Sequence, residues 1–379
     1  MKKSTRFAAA ALAVICAAAI SVGALAGCSS NASSSGSAAA SSSQAATKTV
    51  TDMLGRTVEI PSNVEKVIGV GSALRSICYM GEVDKVVGVE ASEHEDNINC
   101  AYRHVNHEKF ANLPIIGEGG SKGVTPNEEA IINAAPQVII CNSVSADEAD
   151  ALQSKVKIPV VCLNVPETFF GEDYQKNFTL LGEVFNNEKR ANELISYING
   201  ISDDLKTRVA KSTAADTSAY AAGVSFRGSH GFEGTEAGFP PFAAYNIKNV
   251  ADVDGAKGPY SIDLEAISSA QPEYIFIESG NLSLVADDYK NNPAYFNALN
   301  AVQKGNTYTL ISYRFYATNV ELALANCYQV GKVVYPDAFA DVDPTQKLDE
   351  IAQFFLGAPI ASDLATMGCE FKQVDITTL

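Results

Sequence analysis

The 379-residue sequence contains no tryptophan and only four histidines. Those histidines, at 94, 104, 107 and 230, lack the spacing of a helical pair, which argues against a metal centre built from several imidazoles. Neither a P-loop nor a His-Glu-x-x-His string occurs, and no Ser/His/Asp set can be placed, so an exported enzyme is the weaker alternative. Basic residues are also scarce: 28 Lys and Arg face 44 Asp and Glu, for a formal net charge of −16. That balance excludes nucleic acid and a basic membrane-binding patch as partners. The eight cysteines show no CxxC or CxxH spacing, so a zinc site is not expected. Cys141 and Cys162 lie in apolar runs and read as small buried thiols. A disulfide such as Cys78–Cys100 is compatible with an exported protein, although spacing does not fix connectivity.

Long apolar runs occur once, at the front. Lys2, Lys3 and Arg6 precede an Ala-rich stretch, and Leu25-Ala26-Gly27-Cys28 follows it. This is the pattern of an export signal (1–27) ending in a bacterial lipobox, with Cys28 as the lipidated mature N-terminus. Residues 29–47 hold nine Ser and six Ala, too little apolar surface to offset the entropy of ordering. Residues 28–47 therefore read as a flexible tether on a membrane anchor.

The remaining chain alternates strand and helix patterns, which predicts α/β architecture with parallel sheets. "TDMLGRTVEIP" (51–61) reads as a hairpin, and "EKVIGVG" (65–71), "DKVVGVE" (84–90) and "PIIGEGG" (114–120) read as strands. Residues 187–211 carry apolar positions at helical spacing without proline, giving a rod of roughly 37 Å. One phrase occurs twice: "NEEAIINAAPQVII" (127–140) and "DLEAISSAQPEYIF" (263–276) agree at six of fourteen positions. Each copy reads as a helix carrying Glu, then proline, then a central strand. A duplicated lobe explains the pair better than chance. The expected organisation is a lobe over 48–186, an interlobe helix over 187–212 and a second lobe over 213–379.

The stretches "TDMLGRTVEIPSNVEKVIGVG", "LPIIGEGG…NEEAIINAAPQVII", "YSIDLEAISSAQPEYIFIES" and "RFYATNVELALANCYQVGKVVYPD" resemble the substrate-binding proteins of bacterial ABC importers for ferric siderophores, haem and cobalamin. The resemblance spans roughly residues 49–357. It implies two Rossmann-like lobes with central parallel sheets, joined by one long α-helix, with the ligand in the cleft between them. It further implies an extracytoplasmic, non-catalytic and monomeric receptor. Permease and ATPase subunits are its partners, and metal enters only as part of the bound small-molecule complex, with no intrinsic cofactor. Glu129 and Glu265 each lie seven residues before a strand-opening proline, the place where the family meets basic residues of the permease. The alternative within the same class is a receptor for bare zinc, manganese or iron ions.

Ligands of open α/β sheets sit beyond the carboxyl ends of the strands. That rule selects the loops 71–75, 90–94, 117–120 and 143–145, then 225–231, 279–281 and 312–316. Within them Ser72, Arg75, Arg227, His230, Tyr313, Arg314 and Tyr316 are the candidate ligand-binding residues. Arginine offers a planar cation and tyrosine a flat face with a hydroxyl.

Overall fold

The computed structural model describes residues 46–166, 168–210, 212 and 217–379. The expected export signal, Cys28 and nearly all of the expected tether lie outside them. Strands β1 (Thr47–Thr51) and β2 (Thr57–Pro61) pair antiparallel as a hairpin. Asp52 closes its turn, accepting hydrogen bonds from the amides of Leu54 and Arg56 at 3.0 and 2.9 Å, while Gly55 takes a left-handed φ of 79°.

The first lobe is built on β3 (Val67–Val70), β4 (Val138–Cys141) and β5 (Val160–Cys162), all parallel and all buried. Burial on both faces explains why these strands read as unbroken apolar runs. The two further strands expected at 84–90 and 114–120 shrink to single bridges, Val67 to Val86 and Val89 to Ile115. Gly88 and Pro114 weaken pairing there, and a Cβ on Gly88 would come within 2.6 Å of the Ile116 side chain.

The second lobe contains β6 (Ser218–Ala222), β7 (Gly234–Ala237), β8 (Lys248–Asn249), β9 (Gly258–Ser261), β10 (Tyr274–Glu278) and β11 (Thr307–Leu310). Its parallel sheet runs β11-β10-β6-β8, and β7 and β9 form a separate antiparallel pair. The repeated phrase folds identically in both lobes. Asn127 and Asp263 cap the helices Glu128–Ala134 and Leu264–Ala270 through side-chain oxygens. Ala135 and Gln271 end them in the left-handed region, at φ of 50° and 45°. A proline follows each, and then β4 or β10, an interior strand of its sheet.

Between the two sheets in sequence runs the helix Glu188–Val209, burying Ala191, Leu194, Ile198, Ile201 and Leu205. At about 1.5 Å per residue it is roughly 33 Å long. Arg190 donates to the carbonyls of Tyr79 and Phe354 at 2.9 and 2.6 Å, and Arg208 to that of Ala338 at 3.1 Å. These bonds fix both ends of the rod. The helix Pro344–Leu356, expected within the second lobe, packs on the helix Val320–Val334 and reaches back to the first lobe. There Phe355 meets Tyr79 edge-on, with ring centroids 4.9 Å apart. One hydrophobic core therefore continues from Val67 and Tyr79 to Phe276 and Tyr313.

Candidate functional site

A cavity of about 890 Å³ opens between the loops of the two sheets. The first lobe lines it with Ala91, Ser92, Glu95, Arg103 and the loop 118–123. The second lobe contributes the loop 225–229, Pro259 and the loop 314–317. Apart from Pro259 within β9 and Arg103 on the helix Ala101–Val105, these positions lie in loops past the carboxyl ends of strands, as the geometry of open sheets requires.

Each wall carries a Tyr-Arg pair held by a buried glutamate. In the first lobe Glu93 accepts from Arg103 Nε at 2.9 Å and from the Tyr102 hydroxyl at 2.7 Å. In the second, Glu236 accepts from Arg314 Nε at 2.7 Å and from the Tyr313 hydroxyl at 2.6 Å. Arg103 is only 1% exposed, and its Nη2 is buried without a hydrogen-bond partner among the described residues. Glu93 anchors this guanidinium on one side, while the free Nη2, itself covered, keeps unused donor capacity.

The loop 313–317 is strained at its tip, where Tyr316 and Ala317 take φ of 50° and 65°. Buried groups hold it there. Arg75, from the helix Ala73–Tyr79 of the first lobe, donates to the carbonyls of Phe315 and Tyr316 and, through Nε, to Asn319 at 3.1 Å. Asn319 Nδ2 donates to the carbonyls of Tyr313 and Phe315, each at 3.0 Å. The Tyr316 hydroxyl donates to Glu90, which also accepts from the Gly71 amide at 3.1 Å. Burial pushes the Glu90 carboxyl up to about 7, although those two donors pull it back. Behind Ser225, burial raises Glu278 to about 8, and its Oε1 has no partner among the described residues.

Three of the seven candidate residues line the cavity: Arg227, Arg314 and Tyr316. Arg75 and Tyr313 are buried and brace the loop instead of facing the cavity. Ser72 is tied to Asn142, by its amide at 3.0 Å and its hydroxyl at 2.9 Å. His230 stacks behind the cavity residue Phe226 at 3.8 Å and hydrogen-bonds its carbonyl. The expected cleft loops 143–145 and 279–281 are not part of the lining. Arg103 is not among the residues the strand-end rule selects, because it lies in "CAYRHVNH", outside those loops. The available signal was the recurrence of Tyr-Arg in "ISYRF". The nearby histidines serve other contacts: His94 meets the Leu113 carbonyl, and His104 lies between Asp96 and Asp363. Among the described residues no three His, Cys, Asp or Glu are grouped to hold a metal ion. "GGSKG" at 119–123 spells Gly-x-Ser-x-Gly, yet it forms a 3₁₀ turn and no strand-to-helix elbow.

Glu129 and Glu265 are both exposed, and each is the second residue of its seven-residue helix. Neither takes part in an ion pair among the described residues, whereas the adjacent Glu128 pairs with Lys155 at 2.7 Å.

Residues 67–313 match the model of the family described as "Periplasmic binding protein". The chain belongs to this family. Members bind solutes outside the cytoplasm for ABC transporters and are not enzymes, and the fold described above is theirs. Solved structures with the same fold include a periplasmic solute binding protein from Veillonella parvula, with a TM-score of 0.67 at 19% identity over 86% of this chain and 97% of that one. Haemophilus influenzae MolA, bound to molybdate, gives 0.65 at 18% identity, covering 82% and 98%. Helicobacter pylori CeuE, with Ni(II) bound, gives 0.60 at 16% identity, covering 82% and 96%. No curated protein matches the sequence significantly. Among the described residues no helix is long and apolar enough to cross a membrane.

Proposed function

We propose that this binding protein captures an anionic metal chelate and delivers it to an ABC permease while tethered to the membrane through lipid on Cys28. The observation that carries the reading is the meeting of Arg103 and Arg314 in one cavity, one from each lobe, each braced by a buried glutamate. Guanidinium forks suit carboxylate and other anionic oxygens. Phe226, Phe315 and Tyr316 add flat faces to the same lining. A volume of about 890 Å³ fits a chelate better than a bare ion, which needs a compact set of ligating side chains. The guanidinium groups of Arg103, Arg227 and Arg314 in the lining favour an acidic ferric siderophore or haem over a corrinoid. On this reading residues 48–186 and 213–379 supply the two walls and 187–212 the brace. Glu129 and Glu265 are the paired contacts for permease arginines, with the ATPase subunits beyond. Native mass spectrometry of protein purified from its own host tests the proposal. A metal complex of net negative charge is expected, and a bare divalent ion or a neutral corrinoid would overturn it.

A further inference from the structure

Side chains of register partners in a parallel pair project to the same face of the sheet. Cys141 of β4 and Cys162 of β5 are such partners, and their sulfurs lie 3.9 Å apart. All six cysteines among the described residues are free thiols, and no other two make this contact. Neighbouring strands are spaced by about 4.8 Å, inside the Cα separation of about 4.4–6.8 Å that a disulfide accepts. Closing the bond requires side-chain rotation and no rearrangement of the strands.

The surroundings distinguish the two sulfurs. Arg56 Nη1 lies 3.3 Å from Cys162 Sγ, and Asp52 and Asp150 hold that guanidinium at 2.9 Å each. A hydrogen bond from the Cys141 thiol, together with Arg56, draws the Cys162 thiol below its ordinary range, while the same bond raises Cys141. One sulfur is thus suited to attack and its neighbour to resolve.

Both thiols are closed off, at 1% and 0% exposure. β5 is an edge strand, and the Asp52–Arg56 turn covers it at Cys162. The Met53 amide donates to the Cys162 carbonyl at 3.0 Å, and the Cys162 amide donates to Asp52 at 3.2 Å. Oxidation therefore requires that turn to be undocked, during folding outside the cytoplasm or in a transient opening.

We propose that Cys141 and Cys162 are an oxidisable pair that closes to a disulfide across β4 and β5 when the exported chain meets a small disulfide. The Cys162 thiolate attacks the oxidant RSSR, forming a mixed disulfide and releasing RS⁻. Cys141 gives up its proton and attacks the Cys162 sulfur, expelling the second RS⁻. Both leaving thiolates are protonated, so the protein loses two hydrogens and two electrons and the oxidant becomes two RSH.

The test is peptide mapping by mass spectrometry of the full chain, alkylated under denaturing conditions after refolding with oxidised glutathione. The peptides containing Cys141 and Cys162 should appear linked and two hydrogens lighter, and should separate on reduction. In refolded reduced protein, Arg56→Gln should slow closure by about tenfold near neutral pH and move its pH profile upward, and Arg56→Lys should restore part of the rate. Full alkylation of both thiols, or glutathione held permanently on Cys162, would overturn the assignment.

Discussion

Arg103 and Arg314 stand in matching arrangements in the lining of one cavity. Each follows a buried tyrosine, and one buried glutamate accepts from both members of each pair. The glutamates fix the guanidinium planes, so a ligand spanning the cavity meets donors whose orientation is already set. Preorganisation of this kind lowers the entropy cost of binding.

Removing one guanidinium should therefore weaken an anionic chelate by about 1–3 kcal/mol. Arg314→Ala alone also leaves Glu236 buried without its cation, which costs stability in its own right. Combining Arg314→Ala with Glu236→Gln separates the two effects. Titration calorimetry of the double variant should show weaker binding with a near-normal melting temperature. Unchanged affinity would remove Arg314 from the site.

Stability should depend on the buried acid Glu278. Burial raises its pKa in the folded protein from 4.5 to about 8. Folding is thus linked to proton uptake, and its contribution is complete below about 4.5 and lost as pH rises through about 8. Glu278→Gln stays neutral and should lack this loss. Between pH 5 and pH 9 the melting temperature of the wild type should fall several degrees further than that of the variant. Parallel curves would show that the group is not buried as a neutral acid.

The docking pair is tested by reversing charge. Glu129→Lys with Glu265→Lys should abolish uptake in a transport assay, with the dissociation constant for ligand unchanged. Both residues lie outside the cavity lining, so a loss of affinity would move them from docking to ligand binding.

Closure of the lobes should be small. The helix Glu188–Val209 is bonded at both ends, and the loop 313–319 is bonded to first-lobe residues Arg75, Glu90 and Asn99. Small-angle scattering should give a radius of gyration that shifts by less than about 1 Å on ligand addition. A change of several ångströms would show that these bonds break.

Much of the architecture was legible because it is local. The repeat at 127 and 263 carries its own cap, helix, left-handed stop, proline and strand, so sequence similarity translated directly into two matching units. The rod was legible for the same reason, from apolar spacing between Ala191 and Leu205. Short strands with glycine or proline were not, because Val86 and Ile115 pair only where neighbouring segments allow it. The site was half legible. Loops beyond strand ends follow from a rule, and three of the residues it selects, Arg227, Arg314 and Tyr316, line the cavity. Exposure of a given side chain was not available to that rule. Arg75 and Tyr313 point into the protein because tertiary partners, the carbonyls of 315–316 and Glu236, claim them. Arg103 was missed because its partner Glu93 lies ten residues away in an irregular segment that no periodicity describes.

The most direct measurement of the central claim is equilibrium binding of ferric chelates of graded charge to the wild type and to Arg103→Gln. Tight binding should be confined to complexes with net negative charge and should weaken at least about tenfold in the variant, a loss of about 1.4 kcal/mol. Equal affinity for neutral and anionic complexes, or an indifferent variant, would contradict the account.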